Sequence, residues 1–344
     1  MTSNVSISIK RRLLLALTEG VIKLLWFVDK VTSLDIRYLP KAFFYVLIFS
    51  ISSGFFLFIG YSMKTGYLSN IVYEKISPDY VPTPAVVIKY PVHKIPYSNL
   101  DISARSAVAI DKKTNKILFE KNPDEKLPPA STAKLMTALI AKDLYDEDEV
   151  LTVSKSCTQV DSTKAMLKEG DVFTISDLIK SMLIGSAGDS ACIIASSKID
   201  EKEFVNKMND KAQVLGMSST NFSNPIGLDG VDNSQHSTAK DLYKLSKYVT
   251  SFSDLEDIVG TKSFTMHPVG EGDFLTITNT NKTLWSIDNS VGVKTGTTRG
   301  AGEVLVYEYR DDEKDIFIVV MGSRDRFTDT EKILDWVNEH YIWK

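Results

Sequence analysis

Ser131 and Lys134 stand three residues apart, and side chains of these two types can together do covalent chemistry. Pro128 and Pro129 precede the pair, and good helix formers without a breaker follow it, so the sequence predicts a helix that begins here. A hydroxyl becomes a strong nucleophile when a base removes its proton, and a lysine amine in apolar surroundings can lose its charge and serve as that base. The spacing therefore predicts Ser131 as a nucleophile and Lys134 as its base, on one helix face.

The same four letters, Ser-Thr-Ala-Lys, recur at residues 237–240, so the pattern alone is weak support for a catalytic pair. An ordinary helix start is the alternative for either copy. Two more stretches bear on the choice: a Gly-Ser-Ala-Gly-Asp loop that holds Ser186 between two predicted helices, and a Lys-Thr-Gly run at residues 294–296 that enters a predicted strand. A lone serine in such a loop more often caps a helix, so the assignment depends on all three stretches together.

Composition excludes several classes of protein. The chain has 344 residues with 43% hydrophobic content and can bury a large core. A net charge of -4 without a basic block in the main body argues against nucleic-acid binding. The four histidines show no metal-ligand spacing, so we expect neither a metal nor a cofactor. A bridge between Cys157 and Cys192 is conceivable outside the cytoplasm, but we favour two unpaired, partly buried thiols.

Residues 42–61 carry no charge, and twenty residues at about 1.5 Å per residue cross a hydrocarbon core of about 30 Å. Seven basic residues precede this stretch, whereas only Lys64 and Lys75 follow it closely. This asymmetry predicts a single-pass protein of the cell membrane with a cytoplasmic N-terminus and an extracytoplasmic body. A cleaved signal peptide is the alternative. The apolar run is long, starts late and has no small-residue cleavage site after it, which favours an uncleaved anchor.

The segments on either side of this span differ in pattern. Residues 1–41 contain apolar residues at three- and four-residue spacing with basic residues before them, which predicts an amphipathic segment on the inner leaflet. Packing against a partner helix is the alternative. Residues 62–101 contain five prolines and no sustained period, which predicts an extended linker. The domain that carries the candidate chemistry is then expected at residues 102–344.

Within this domain, strand patterns lie at both ends and helical patterns lie between them. Strands are predicted at residues 107–110, 117–120, 292–298, 304–307 and 316–321. Beyond the helix at Ser131, helices are predicted at residues 175–184, 203–215, 237–248 and 328–343. The simplest arrangement is an α+β fold, in which N- and C-terminal strands share one antiparallel sheet with flanking helices and a helical middle subdomain.

Taken together, Ser131-x-x-Lys134, the Ser186 loop and the Lys-Thr-Gly run resemble the three motifs of the penicillin-recognising serine enzymes. More narrowly, the domain is similar to the low-molecular-mass penicillin-binding D-alanyl-D-alanine carboxypeptidases. The stretches that carry this similarity are residues 122–131, 224–229, 236–242, 294–302 and 323–327. The resemblance implies a β-lactamase- or transpeptidase-like fold. It also places residues 237–240 in the family's second Ser-Thr-Ala segment, outside the catalytic pair.

The resemblance implies a reaction on peptidoglycan stem peptides. Ser131 would attack the carbonyl between the two terminal D-alanines while Lys134 takes its proton, and an acyl-enzyme would form. Ser186 would relay a proton to the departing D-alanine amine, and water would then release the shortened peptide. Because a β-lactam presents a strained amide and a carboxylate as the natural substrate does, β-lactams would act as covalent inhibitors.

The strand with the Lys-Thr-Gly run would bind the substrate. Lys294 and the hydroxyls of Thr295 and Thr297 would hold the terminal carboxylate. The backbone N–H groups of Ser131 and Thr297 would form the oxyanion hole. Gly296 would let a peptide backbone approach this strand closely, because a side chain there could block the nucleophile.

One position departs from the family pattern. The family's serine loop has the form Ser-x-Asn, whose amide contacts the substrate and the lysine, whereas this chain has Ser186-Ala187-Gly188, followed by the expected Asp189. The missing amide supports a second hypothesis, a weakly active or inactive domain that binds cell-wall peptides or β-lactams. We expect Gly188→Asn to raise acylation roughly ten- to hundredfold, because a shielded hydrogen bond contributes about 1 to 3 kcal/mol.

Two alternatives concern the reaction itself. A β-lactamase would share the motifs, but its added Glu-x-x-Leu-Asn loop is not found between Ser186 and Lys294, so this hypothesis ranks below carboxypeptidase. Endopeptidase action on peptidoglycan cross-links also cleaves beside a D-amino acid, and the sequence does not separate it from carboxypeptidase action.

Overall fold

The computed structural model of this protein describes residues 89–96, 98–231 and 234–344. The predicted amphipathic segment 1–41, the predicted span 42–61 and most of the predicted linker lie outside these residues. Within the described part of the chain, no helix combines the length and the apolar character that a membrane crossing requires.

The described elements alternate between strands and helices along the chain. The strands are β1 Pro91–His93, β2 Ser106–Asp111, β3 Ile117–Lys121, β4 Val150–Thr152, β5 Val172–Thr174, β6 Ser263–Met266, β7 Leu275–Thr278, β8 Ser290–Thr298, β9 Gly302–Arg310, β10 Asp315–Ser323 and β11 Tyr341–Trp343. The helices are α1 Lys134–Leu144, α2 Lys155–Thr158, α3 Ile175–Ile184, α4 Gly188–Ser196, α5 Glu201–Val214, α6 Ala239–Val249, α7 Ser253–Gly260, α8 Thr283–Ser286 and α9 Arg326–His340. A 3₁₀ turn, Ala130–Ala133, leads into α1.

The main sheet has five antiparallel strands in the order β3-β2-β10-β9-β8. Strands from both ends of the domain therefore share one sheet, and this prediction is confirmed. β10 is the central strand, and residues 315–321 are all buried because both faces of the sheet are covered. Alternate residues of β10 enter opposite cores, Phe317 and Val319 on one side and Ile318 and Val320 on the other.

The helical region is organised around α1, in which residues 134–141 are all buried. A helix that is buried on every side belongs inside a large core. It packs against α3, α4, α5 and α6, while the preceding 3₁₀ turn packs against β8. The predicted helices at 175–184, 203–215 and 237–248 are confirmed as α3, α5 and α6, with ends that shift by at most two residues.

Two pairs of short strands, β4–β5 and β6–β7, have no counterpart among the predicted elements. Their strands have only three or four residues. Runs this short show too little alternation to be recognised as strands in a sequence.

The prediction of a helix up to residue 343 is wrong at its end. The helix α9 ends at His340, and Tyr341–Trp343 form β11, which pairs antiparallel with β1. Aromatic and β-branched residues favour strands, and two buried tertiary hydrogen bonds fix this one. The Tyr341 hydroxyl donates to the Leu118 carbonyl at 3.0 Å, and the Trp343 ring nitrogen donates to Asp111 at 2.8 Å.

The expectation of two unpaired thiols is also wrong, because Cys157 and Cys192 form a disulfide. Cys157 lies on α2 and Cys192 on α4, and these helices pack together. Their Cα atoms are 5.4 Å apart, within the range of about 4.4–6.8 Å that a disulfide requires. Sequence spacing does not show this pairing, because it depends on the packing of two helices.

Candidate active site

The 3₁₀ turn places Ser131 directly before Lys134, the first residue of α1. The Nζ atom of Lys134 lies 2.8 Å from Oγ of Ser131 and donates a hydrogen bond to the Ile226 carbonyl oxygen at 2.6 Å. A neutral amine has one lone pair in addition to its N–H groups. Donation to Ile226 therefore leaves the lone pair free to accept the proton of Ser131. The structure brings these two side chains together, as their spacing predicts.

A loop at residues 224–229 holds the second hydrogen bond of Lys134 in place. The hydroxyl of Thr137, on α1, donates to the Pro225 carbonyl at 2.6 Å and so fixes the residue before Ile226. Gly227 has a φ of +90°, and a Cβ there would lie 2.1 Å from the Ala130 carbonyl oxygen. Glycine is required at this position for both reasons, since the loop passes directly over the catalytic turn.

Burial of Lys134 changes its proton affinity. The residue has no exposed surface, and this burial lowers its pKa to about 7, while the charge of Asp189 opposes the shift. Near neutral pH a large share of the amines therefore carries no charge. An amine in this state can act as a general base for the hydroxyl at its side.

Ser186 lies in the turn between α3 and α4, and it is buried. Its φ is +60°, a conformation that costs energy for a residue with a side chain and that is concentrated at functional sites. Both flanking helices pack against α1, which places this turn beside the helix that carries Lys134. The described hydrogen bonds of Lys134 go to Ser131 and Ile226, and none joins Lys134 to Ser186.

The strand β8 lies against the catalytic turn at Gly296. A Cβ at this position would lie 2.8 Å from the Ser131 backbone nitrogen and 2.8 Å from the Ala130 Cβ. The glycine therefore permits the turn itself to approach β8. The group that approaches Gly296 in the structure is the backbone of Ser131, and the expected approach of a peptide to this strand stays a prediction.

Lys294 lies two residues before Gly296 on β8 and faces the same side of the strand. It is buried, and its Nζ donates to the Thr295 carbonyl at 3.1 Å. Burial lowers the pKa of Lys294 well below its usual value, and the positive charges of Lys134 and Arg326 lower it further. A bound anion would reverse this effect, because a negative charge favours the protonated amine.

Arg326 is a site residue that the sequence motifs do not identify. It begins α9, after the cap residue Asp325, and its guanidinium donates to the Gly296 carbonyl at 2.7 Å and to the Thr297 hydroxyl at 2.6 Å. Burial lowers the pKa of Arg326, and Glu303 is its nearest acidic partner at 3.9 Å. The only sequence signal is its place in the stretch 323–327, because the contact joins residues about 30 positions apart.

Gly188 has an ordinary helical backbone, since it is the first residue of α4. Space is what requires glycine here: a Cβ would lie 2.6 Å from both Cβ and Oγ of Ser162 and 3.2 Å from a methyl group of Ile226. We therefore no longer expect Gly188→Asn alone to raise acylation, because the Ser162 side chain already occupies the space of the new side chain.

The fold and the site together have the features of the penicillin-binding serine enzymes, with a Ser-Lys pair at the junction of a helical region and an antiparallel sheet. Residues 93–325 match the family Peptidase_S11, described as D-alanyl-D-alanine carboxypeptidase, and the chain belongs to this family. The crystal structure of the Streptomyces K15 DD-transpeptidase is similar, with a TM-score of 0.66 and 27% identity over 71% of this chain and 100% of that one.

Curated relatives have the same family description. The D-alanyl-D-alanine carboxypeptidase DacF of Bacillus subtilis is 29% identical over 253 residues, which cover 71% of this chain and 64% of DacF. The D-alanyl-D-alanine carboxypeptidase DacC of Escherichia coli is 34% identical over 253 residues, which cover 68% of this chain and 61% of DacC. The chain thus spans less than two thirds of the length of these two relatives.

Proposed function

We propose that this protein is a serine D-alanyl-D-alanine carboxypeptidase that acts on peptidoglycan stem peptides and that penicillin inhibits covalently. One observation carries the proposal: the buried Lys134 amine lies 2.8 Å from the Ser131 hydroxyl, and its pKa is about 7. The pair therefore has both the geometry and the proton affinity that a Ser-Lys nucleophile needs.

In the first step, Oγ of Ser131 forms a bond to the carbonyl carbon between the two terminal D-alanines, and its proton passes to Lys134. The backbone N–H groups of Ser131 and Thr297 stabilise the oxyanion. The C–N bond then breaks, and the departing D-alanine amine receives a proton through Ser186. Water attacks the ester that remains and releases the shortened peptide and a free Ser131.

The terminal carboxylate of the substrate binds beside β8. Lys294 and the hydroxyls of Thr295 and Thr297 are its direct partners in this proposal, and Arg326 supports them through its bond to Thr297. Burial lowers the pKa of Lys294 well below its usual value. A bound carboxylate would favour the charged form of Lys294 and so raise that pKa again.

The proposal is tested with the detergent-solubilised full chain, incubated separately with penicillin and with a stem peptide that ends in D-alanyl-D-alanine. We expect a penicillin adduct on Ser131 and release of one D-alanine per peptide. Ser131→Ala should show neither, whereas Ser237→Ala, at the repeated Ser-Thr-Ala-Lys stretch, should retain both. Labelling of Ser131→Ala would contradict the assignment.

A weakly active or inactive binding domain is the second candidate, because Gly188 lacks the amide of the family's asparagine. Its test uses the same samples: a penicillin adduct that forms on Ser131 without measurable D-alanine release would favour this candidate.

A cross-linked peptide in a third sample separates carboxypeptidase from endopeptidase action, since only an endopeptidase would divide it into two stem peptides.

Membrane anchoring by residues 42–61, with the body on the outer face, is part of the proposal. The bias of seven basic residues before the span supports it. The Cys157–Cys192 disulfide also supports it, because disulfides persist in oxidising compartments outside the cytoplasm. Protease added to spheroplasts should remove the body and spare an N-terminal epitope. A protected body would contradict this topology.

A further inference from the structure

The side chain of Ser162 fills the space beside Gly188. A side chain at position 188 would begin 2.6 Å from both Cβ and Oγ of Ser162, which is too close for the two to coexist. Because Gly188 has a helical backbone that any residue can adopt, the glycine is explained by the presence of Ser162. The two positions are therefore coupled: the polar group at this point of the site comes from residue 162 instead of residue 188.

The loop that carries Ser162 is fixed firmly to α4. The Gly188 N–H donates to the Thr163 carbonyl at 2.7 Å. The buried carboxylate of Asp189 accepts from three successive backbone N–H groups, those of Ala165, Met166 and Leu167, at 3.0, 3.0 and 3.3 Å. The Cys157–Cys192 disulfide joins the helix before this loop to α4. These contacts hold Ser162 at one place relative to the active site.

The position of Ser162 connects it to the catalytic pair. The side chain of Ile226 lies 3.2 Å from the same Cβ position at 188, and the carbonyl of Ile226 accepts the hydrogen bond of Lys134. Ser162 is half-buried, so its hydroxyl keeps some access to solvent. Among the described hydrogen bonds, none uses this hydroxyl. The hydroxyl thus lies beside position 188, next to the residue whose carbonyl accepts from Lys134, and it is available to a bound molecule.

We propose that the Ser162 hydroxyl is a substrate-binding group, which donates a hydrogen bond to the amide carbonyl that precedes the reacting D-alanine. In penicillin the matching acceptor is the side-chain amide carbonyl. This inference rests on the proposed function and adds to it a residue outside the three motifs. It also explains how the chain retains a polar contact at a position where the family's asparagine is replaced by Gly188.

The first test compares two β-lactams that differ at this acceptor. Benzylpenicillin has the side-chain amide, whereas 6-aminopenicillanic acid has a free amine instead. Ser162→Ala should lower the second-order acylation constant about tenfold for benzylpenicillin, the effect of one hydrogen bond of about 1.4 kcal/mol, and leave that for 6-aminopenicillanic acid within about twofold. Thr163→Ala is the matched control, because its side chain is exposed on the same loop. It should leave both constants unchanged.

The second test uses the coupling between the two positions. Gly188→Asn alone should not raise acylation by benzylpenicillin, because the new side chain meets Ser162. The same change in a Ser162→Gly background has room for the amide, and it should raise the constant about tenfold relative to Ser162→Gly alone. Thermal unfolding of each variant shows that the comparison is made on folded protein.

The outcomes separate this inference from the proposed function. An equal loss with both β-lactams, or no loss with either, would overturn the role of Ser162 while the wild type still forms its Ser131 adduct. A gain from Gly188→Asn alone would overturn the coupling and the inference with it. A wild type that penicillin does not acylate would contradict the proposed function itself, and the inference would fall with it.

Discussion

Two clusters of charged side chains in this protein, each with buried and half-buried members, pair their charges in opposite ways. The cleft cluster consists of Lys134, Lys294 and Arg326, which share one sign, and the pKa of each is lowered by burial. The paired network combines bases with acids, and its members are Lys112, Glu256, Glu308, Arg310 and Asp315. Both clusters are largely shielded from water, and they differ in whether the charges are matched.

The paired network matches each charge with an opposite one, although Oε2 of Glu308, Nε of Arg310 and Oδ1 of Asp315 are buried without a hydrogen-bond partner. The fully buried Glu308 accepts from Lys112 at 2.7 Å and also pairs with Arg310. Burial and the charge of Glu308 raise the pKa of Asp315 to about 6, while Lys112 and Arg310 act in the opposite direction. In the cleft cluster, by contrast, no described side-chain hydrogen bond joins a cation to a carboxylate: Glu303 lies 3.9 Å from Arg326, and the charge of Asp189 only opposes the lowered pKa of Lys134. The carboxylate of the proposed substrate would supply a closer negative charge. The charges of the paired network are therefore engaged with one another, whereas the cations of the cleft cluster are available to a bound anion.

The largest effect is expected at the base. Lys134→Met fills a similar volume without an amine, so the acylation constant with a fluorescent penicillin should fall roughly 10²- to 10⁴-fold. Lys240→Met is the matched control, because Lys240 ends the repeated Ser-Thr-Ala-Lys stretch and lies in a surface ion pair with Asp124. The control should acylate at the wild-type rate. Equal losses in both variants would contradict the assignment of the base.

In the paired network the same type of change should affect stability instead. Lys112→Met leaves the buried Glu308 without one of its two partners, which should lower the free energy of unfolding by about 3 kcal/mol. Acylation of the folded protein should not change. Chemical denaturation measures the first effect, and Lys113→Met, at the exposed neighbour, is the control that should retain wild-type stability. A loss of acylation without a loss of stability would contradict the contrast between the clusters.

At the carboxylate site, Lys294→Ala removes one charged donor. A hydrogen bond to a charged group contributes about 1.5–3 kcal/mol. The acylation constant measured with a stem peptide that ends in a free carboxylate should therefore fall roughly ten- to hundredfold. With the same peptide amidated at its C-terminus, wild type and Lys294→Ala should have similar acylation constants, because that peptide has no carboxylate to bind. A similar loss with both peptides would mean that Lys294 has another role.

The smallest effect concerns stability against pH. The pKa of Asp315 is about 6 in the folded protein and 3.8 as its ordinary value, so between these pH values the folded state holds a proton that the unfolded state lacks. The stabilisation of the folded state by this proton is present below about pH 4. It is lost as pH rises to about 6, which lowers the free energy of unfolding by on the order of 2 kcal/mol. Asp315→Asn should remove this slope in urea denaturation. A wild type whose stability is flat over this range would contradict the raised pKa.

The sequence predicts those parts of the molecule that depend on local spacing. Ser131 and Lys134 are close in the chain, so a helix start is enough to bring them together, and the long apolar runs in β10 identify a buried strand. Arg326 and Ser162 could not be found in this way. Their positions depend on contacts with Thr297 and Gly188, which lie about 30 residues away in each case.

The same reason accounts for the two corrected expectations. The cysteine pairing and the strand Tyr341–Trp343 depend on which helices and strands meet in the folded protein. The sequence also places Lys134 and Lys294 in motifs, but it does not show that both are buried, or that the charge of Lys134 lies close enough to lower the pKa of Lys294. That property arises only when β8 packs against the catalytic turn.

The pH dependence of Ser131 acylation tests most directly whether Lys134 acts as a neutral base. Its pKa of about 7 in the folded protein lies far below the ordinary 10.5, so the base form is scarce at pH 5 and dominant at pH 9. The second-order acylation constant of the wild type should therefore rise with pH through a midpoint near 7, and Lys134→Met should lose this rise. A wild-type constant that is flat between pH 5 and 9, or a Lys134→Met variant that keeps the same midpoint, would contradict the mechanism.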